Sequence, residues 1–250
     1  MQKIKKLLLD IETAPSLGFY FDLWKEGNIV GTVQSWYILS VAWKWEGEKT
    51  VHAVSIADYP HYKQHKEDDR LLVERIWMLL NHADIVVAHN GDRFDLPKIN
   101  ARFLKHGLRP PEPYATVDTL KVARRYFKMD SNRLNEVAKY LGVGSKLPHT
   151  GFKLWEDCMK GDKKAWALMK RYNKHDVVLL EKVYLALRPW MKNHPNCNVF
   201  TEQNGCPNCG SKNVQKRGFS ITATGHKQRW QCNDCSAWSH SSSHKIIEIR

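Results

Sequence analysis

The chain has 250 residues, 42% of them hydrophobic and ten of them tryptophan, so it can bury one large core with room for a small second module, and disorder is not its default. Its formal net charge of +13 points to a polyanionic partner, nucleic acid foremost, although a general basic bias would read the same way. No apolar run approaches the ~20 residues of a membrane span, which excludes a helical membrane protein as the expectation.

The opening MQKIKKLLLDIE carries lysines, but acidic residues interrupt it after three leucines, too early for a signal peptide. Residues 3–10 instead read as a buried strand. Ile38–Trp45 and residues 50–56 are two further strands, with Glu46-Gly47-Glu48 as the hairpin turn between them. Residues 71–81 place Leu72, Ile76, Leu79 and Leu80 at helical spacing. Residues 84–88 are a short β-branched strand, and 96–106 a helix stopped by Gly107. Pro110, Pro111 and Pro113 mark a loop, after which residues 115–117 form a last short strand ahead of a helix through Tyr126. Residues 134–141 form a short helix ending at Gly142, and Lys163–Leu187 a long one ended by Pro189. Three meandering strands followed by helix–strand–helix–strand resemble the order of a ribonuclease-H-like α/β fold, a mixed sheet with helices on both faces.

Beyond Pro189 the composition changes. Residues 193–205 are rich in Asn and polar side chains and read as a linker. From Cys206 onward aliphatic residues are few, and paired cysteines, basic residues and tryptophans take over. The expected organisation is a domain over 1–190, a linker over 191–205 and a small module over 206–250. The six cysteines of a chain expected in a reducing compartment are metal ligands or core residues rather than disulfides.

Five residues in three segments carry a chemistry. Asp10 and Glu12 in LLLDIET stand two apart at a strand end, so both carboxylates point to one face. Asp95 in AHNGDRFD follows a strand and opens a helix, a common place for sites in α/β sheets. Tyr172 and Asp176 in YNKHD are i and i+4 on one helix and share a face. Four carboxylates in one pocket repel unless divalent cations neutralise them, and hard oxygen ligands favour Mg²⁺ or Mn²⁺. Two such ions roughly 4 Å apart can activate a water and stabilise a departing 3′-oxygen at phosphorus. A tyrosine hydroxyl beside Asp176 is placed to orient that water. Each segment alone has a plain reading: a chance D-I-E, a helix cap at Asp95, an exposed pair on an amphipathic helix.

Taken together these segments resemble the DEDD exonuclease superfamily over about residues 4–188. LLLDIET is similar to its first motif. Asn90-x-x-x-Phe94-Asp95 is similar to the second motif as found in family-B DNA polymerase proofreading domains. Tyr172-x-x-x-Asp176 is similar to the third in its tyrosine form, since the histidine form needs His where Arg171 stands. The resemblance implies Asp10, Glu12, Asp95 and Asp176 as ligands of two Mg²⁺ or Mn²⁺ ions, with Tyr172 positioning the water. It also implies that Thr13, Asn90 and Phe94 hold the 3′-terminal nucleotides. The stretch around Asp118 is similar to one these domains carry between the second and third motifs, and Asp118 is not among the four ligands of that pattern.

Cys206-x-x-Cys209 and Cys232-x-x-Cys235, separated by about 22 residues, match a zinc ribbon in which four thiolates close a structural tetrahedral Zn²⁺ site. Cys158 and Cys197 lack partners at ligand spacing; Cys158 is expected partly buried in a helix and Cys197 in the linker. Lys216, Arg217, Lys227, Arg229 and Trp230 between the cysteine pairs, with Trp238 and Lys245 after them, interleave charge with aromatic faces as nucleic-acid contact requires. The string also resembles the zinc ribbons near transposase N-termini, which implies DNA binding. A ribbon whose tryptophans fill its own core, or which docks a protein, stays open beside it. Trp24, Trp36, Trp43 and Trp45 read as sheet core and rim. His52, His61 and His65 show no metal spacing. Lys121, Arg124, Arg125 and Lys128 read equally as a backbone track or a solvated face.

The expected protein is a stand-alone metal-dependent 3′–5′ exonuclease acting on DNA, with no membrane partner, in the cytoplasm of a bacterial or phage-infected cell. Replication or recombination proteins are its expected protein partners. An RNA substrate, a structure-specific endonuclease, or a non-catalytic nucleic-acid-binding scaffold are the alternatives.

Overall fold

The computed structural model describes residues 4–21, 30–199, 205–241 and 245–246. Lys3, Trp24, the side chain of Lys245 and residues 200–204 of the expected linker lie outside the described residues.

The main sheet is mixed and five-stranded, in the order β5-β4-β1-β6-β7. β1 (Lys6–Thr13) lies at its centre, antiparallel to β4 (Ile38–Trp45) and parallel to β6 (Ile85–Ala88). β5 (His52–Ser55) and β7 (Ala115–Asp118) form the edges. A turn through Glu46 and Gly47, closed by Glu48 N donating to Trp45 O at 3.0 Å, joins β4 to β5; Gly47 stands at φ 93°, where a side chain would be strained. This is the ribonuclease-H-like α/β architecture that the element order implies.

β1 runs three residues past the expected end at Asp10, because Asp10, Ile11 and Glu12 pair with Ala42, Val41 and Ser40 of β4. A well-buried partner strand supplies the hydrogen bonds that the local sequence does not advertise. Side chains alternate across β1 as a pleated strand requires. Leu7, Leu9 and Ile11 join the core with α1 (Arg70–Asn81), α2 (Asp95–Lys105) and α5 (Lys153–Lys160). Leu8 joins the other core with α4 (Leu134–Tyr140) and the lower half of α6 (Lys163–Leu187). Asp10 and Glu12 have the parity of Leu8, so their carboxylates leave the sheet on the α6 side. α3 (Thr119–Tyr126) follows β7 directly.

Two features were not legible, a second small sheet and α5. β2 (Leu17–Phe19) and β3 (Gly31–Gln34) make a separate two-stranded sheet between β1 and β4. α5 buries only Leu154 and Cys158, one turn apart, too little periodicity to read; Cys158 is wholly buried at 0% rather than partly so. The strands β8 (Val214–Thr222), β9 (Gly225–Cys232), β10 (Trp238–His240) and β11 (Lys245–Ile246), by contrast, form a small antiparallel sheet beside the cysteines, consistent with the expected zinc ribbon. Its first cysteine loop rests on the end of α6. Asn208 Nδ2 donates to the carbonyls of Arg188 and Met191 at 2.9 and 3.1 Å, and Cys197 N donates to Pro207 O at 2.6 Å. Among the described residues no helix is long and apolar enough to cross a membrane.

Candidate active site

β1 sets Asp10 and Glu12 on one face, and α6 crosses that face with Tyr172, Asn173 and Asp176 turned inward and buried. Carboxylate oxygens of Asp10, Glu12 and Asp176 lie within 4.8 Å of one another. Asp95 is the first residue of α2, and the cap position is Phe94, which makes no side-chain cap bond. The Asp95 carboxylate instead accepts from Ile11 N at 3.1 Å, which ties it to the strand that carries Asp10 and Glu12. Neither the cap reading of Asp95 nor the exposed-pair reading of Tyr172 and Asp176 describes these side chains.

The loop before α2 is held tightly. A Cβ on Gly91 would sit 2.4 Å from Ala88 Cβ, so only glycine allows the chain to turn this close to the end of β6. Asn90 occupies the left-handed region at φ 68°, and its N–H donates to Asp118 Oδ1 at 2.8 Å. Asp118 also caps α3 by accepting from Leu120 N and Lys121 N. It thus ties the Asn90 loop to α3.

Two residues that sequence reasoning missed complete the cluster. Asn173 Nδ2 donates to Asp10 Oδ2 at 2.6 Å and to Asp10 O at 3.2 Å, while its Oδ1 accepts from Ser40 Oγ at 3.0 Å. Lys146 Nζ lies 2.5 Å from Asp176 Oδ2 and 2.9 Å from the Tyr172 hydroxyl. Asn173 follows Tyr172 in the motif and could have been read from helical spacing. Lys146 sits in a loop thirty residues from Asp176, and nothing local marks it.

The electrostatics are those of an anion cluster short of positive charge. Burial, then the charges of Asp95, Glu12 and Asp176, push the Asp10 carboxyl well above its ordinary value. Burial and Asp176 raise Glu12 to about 8, and burial raises Asp95 to about 7. Burial also raises Asp176, against the pull of Lys146. The Tyr172 hydroxyl is pushed up to about 12, by burial first and Asp176 second. Asp176 Oδ1 is buried with no hydrogen-bond partner among the described residues. An orphaned carboxylate oxygen, facing two more carboxylates across a few ångströms, is what hard divalent cations fit.

At the rim, Lys98 Nζ donates to Thr13 Oγ1 at 3.1 Å and lies 4.2 Å from the ring centre of Trp36 and 5.0 Å from that of Phe94, itself 38% exposed. A second acidic group, Asp68, Asp69 and His106, has Arg102 paired to Asp69, so that buried charge is already neutralised from within.

The four cysteines of the ribbon converge with all Sγ atoms within 4.8 Å, and Cys206–Cys235 and Cys209–Cys232 are 3.5 and 3.7 Å apart. Burial pushes the Cys209 thiol up to about 12, which a soft or borderline cation would reverse. Four convergent thiols fit Zn²⁺. Lys216 lies 5.5 Å from the ring centre of Trp230, and Arg229 lies 5.5 Å from that of Trp238. These, with Arg217 and Lys227, stand on β8, β9 and β10, in a different sheet from the carboxylates.

A family model described as the RNase_H superfamily matches residues 20–188, more than half of the chain. The chain is 32% identical over 77 residues to "Protein NEN3" of Arabidopsis thaliana, covering 30% of this chain and 15% of that protein. It is 44% identical over 55 residues to "DNA polymerase III PolC-type" of Ureaplasma parvum, covering 22% of this chain and 4% of that one. The solved family B DNA polymerase of Pyrobaculum calidifontis aligns with 75% of this chain and 26% of its own at a TM-score of 0.49 and 17% identity. The chain therefore spans only a small part of the length of each of these proteins.

Proposed function

The chain belongs to the RNase H superfamily, and from that membership we propose that it is a metal-dependent 3′–5′ exonuclease of DNA, of the tyrosine-bearing DEDD type. The observation that carries the reading is the convergence of Asp10, Glu12 and Asp176 within 4.8 Å, with Asp95 tied to the same strand and Tyr172 beside Asp176. The similarity to a DNA polymerase of the PolC type supports DNA over RNA.

In this reading Asp10, Glu12, Asp95 and Asp176 hold two Mg²⁺ or Mn²⁺ ions, which when bound supply Lewis acidity and charge neutralisation to the reacting phosphodiester. Asn173 holds Asp10 in place through its amide. Lys146 holds Asp176 and the Tyr172 oxygen. The Tyr172 hydroxyl, raised to about 12, keeps its proton at neutral pH and orients the attacking water by a hydrogen bond. Water oxygen bonds to phosphorus as the bond to the 3′-oxygen breaks, and that oxygen leaves as a hydroxyl. Phe94, Asn90 and Thr13 hold the terminal nucleotides. The ribbon, folded on Zn²⁺ at Cys206, Cys209, Cys232 and Cys235, grips nucleic acid through Lys216, Arg217, Lys227, Arg229 and Trp230. Replication or recombination proteins are its proposed protein partners.

The test is degradation of a 5′-labelled single-stranded DNA oligonucleotide with Mg²⁺ or Mn²⁺, beside Asp10→Ala and an RNA strand. A ladder shortening from the 3′ end, absent in the variant, is the expected result. Retained cleavage by Asp10→Ala would overturn the site, and binding without cleavage would favour a scaffold.

A further inference from the structure

At the β5 edge of the sheet, away from the carboxylates, a cavity of about 630 Å³ opens between α5, α6 and the short 3-10 turns Ile56–Asp58 and Pro60–Lys63. Its floor is rigid. Tyr62 and Trp166 are buried and meet edge-on, Trp166 Nε1 donates to the Tyr62 hydroxyl at 3.1 Å, and that hydroxyl donates to Cys158 O at 3.2 Å. Its wall is basic: Lys63, Lys66, Lys160, Lys163 and Lys170 all line it, against one carboxylate, Asp58. Asp58 is already taken by Lys170 at 2.6 Å. Lys66 Nζ donates to Lys160 O at 3.0 Å. Among the described residues, Lys63, Lys160 and Lys163 make no ion pair.

Several features separate this cavity from an ordinary solvated lysine face. The lysines come from separate stretches of chain and converge on one concavity, where a low-dielectric floor focuses their field. Lys163 and Lys164 also open α6, whose start carries one carboxylate, the Asp162 cap that accepts from Ala165 N at 2.7 Å, and no acidic residue in the first turn after it. Lysines are unfavourable at that end of a helix, where the exposed N–H groups already carry partial positive charge. The Asp162 cap supplies a single carboxylate at this end of α6, so the lysines gathered on the cavity remain in excess of the negative charge around them. A ligand with several negative charges would balance that excess.

We propose that this cavity binds the phosphodiester backbone of the nucleic acid, at a point on the strand remote from the cleaved bond. Lys170 precedes Tyr172 by two residues and faces Asp58, whereas Tyr172 faces Lys146. The lysines and the carboxylates therefore occupy different flanks of the same helix, and a strand held at one leaves the other open. Tyr59, half-buried in the lining, offers a ring for a base. The site gives the enzyme a hold on long strands that a short one cannot use. The proposal rests on nucleic acid being the substrate, so binding is read without divalent metal, where turnover plays no part.

The test compares the full chain with a Lys63→Ala, Lys160→Ala, Lys163→Ala variant, using anisotropy of a labelled thirty-nucleotide DNA strand in EDTA over a salt series. A Lys49→Ala, Lys105→Ala, Lys139→Ala variant, of equal net charge, is the control. Three lost phosphate contacts should flatten the log–log salt slope by about 2 and weaken binding about tenfold or more at low salt. The control should move little, and hydrolysis of a dinucleotide in Mg²⁺ should not change. An equal loss in the control would make the effect one of net charge and overturn the site, as would an unaltered slope. A mononucleotide or inorganic phosphate that displaces the strand from the wild type through these lysines at micromolar concentration would instead make this a free-phosphate site and overturn the strand assignment. If the slope flattens but no substrate is cleaved, the exosite stands and the nuclease reading fails.

Discussion

Lys146 Nζ lies 2.5 Å from Asp176 Oδ2 while also donating to the Tyr172 hydroxyl at 2.9 Å, so one loop ammonium holds two side chains of α6 at once. Burial opposes its charge, but Asp176 and Tyr172 more than offset this and raise its pKa, so it stays charged throughout the neutral range. Lys146→Ala should lower turnover on single-stranded DNA about 100-fold, the scale of a small misplacement of catalytic groups. Its affinity for a long strand should change little. Equal losses in turnover on every substrate with an unmoved pH profile would reduce Lys146 to a structural role, and wild-type turnover would remove it from the site.

Tyr172→Phe keeps the ring packed against His149, whose ring centre is 4.8 Å away, and removes only the hydroxyl. Hydrolysis should slow by about 10²-fold, within the range for loss of one positioned proton-bearing group. Bound Mn²⁺, counted by equilibrium dialysis, should not change. Loss of bound metal would make Tyr172 part of the ligand shell rather than a guide for water.

Stability should depend on pH in a direction opposite to that of ordinary surface carboxylates. Glu12 is raised to about 8 and Asp95 to about 7, in both cases by burial first, from unfolded values near 4. Below about pH 4 these groups are protonated in both states and cost nothing. As pH rises towards 8 the unfolded chain releases protons that the folded chain retains, so unfolding becomes easier. Thermal melts in EDTA should therefore fall between about pH 5 and pH 8, and Mg²⁺ should restore the loss. A melting temperature that rises over this window in EDTA would refute the buried-anion description.

Asn208, only 5% exposed, holds the ribbon to the end of α6 through the carbonyls of Arg188 and Met191. Asn208→Ala leaves two carbonyls without their donor, at a cost of about 1–3 kcal/mol. The expected readout is faster proteolytic cleavage between residues 191 and 205, with DNA hydrolysis of a dinucleotide unchanged. Chelation of Zn²⁺ from the four cysteines should reproduce it, because the loop carrying Asn208 is shaped by Cys206 and Cys209. Unchanged proteolysis in both cases would mean that the ribbon is held elsewhere.

Gly91→Ala puts a Cβ 2.4 Å from Ala88 Cβ, a contact that backbone must relieve. Overpacking of this kind costs about 1–3 kcal/mol. Because the same loop leads into Asp95, activity should fall further than the melting temperature alone would explain. Normal activity with a lowered melting temperature would show that Asp95 is held by Ile11 N independently of the loop.

Much of the fold was legible because it rests on local pattern. Ile38–Trp45 and Lys163–Leu187 have the bounds that their apolar runs and flanking Gly and Pro imply. α5 was hidden because two buried side chains make no period. β2 and β3 were hidden because their large apolar residues, Leu17, Phe19 and Val33, are exposed and the two strands pair only with one another. The lysine cavity was equally hidden, since Lys63, Lys66, Lys160, Lys163 and Lys170 are scattered through the sequence and meet only through the packing of α5 and α6 on the β5 edge.

The amino-acid sequence by itself determined the central strand, the long helix, the four-cysteine spacing and the placement of Asp10 with Glu12 and of Tyr172 with Asp176 on common faces, because strand alternation and helix periodicity are properties of short stretches. Tertiary structure alone decided that Asn173 anchors Asp10, that Lys146 reaches Asp176 across thirty residues, and that Asp118 ties the Asn90 loop to α3. It also decided that Asn208 docks the ribbon. Each of these is a pairing between distant segments, and such pairings follow from which faces are buried together rather than from any local preference of the chain.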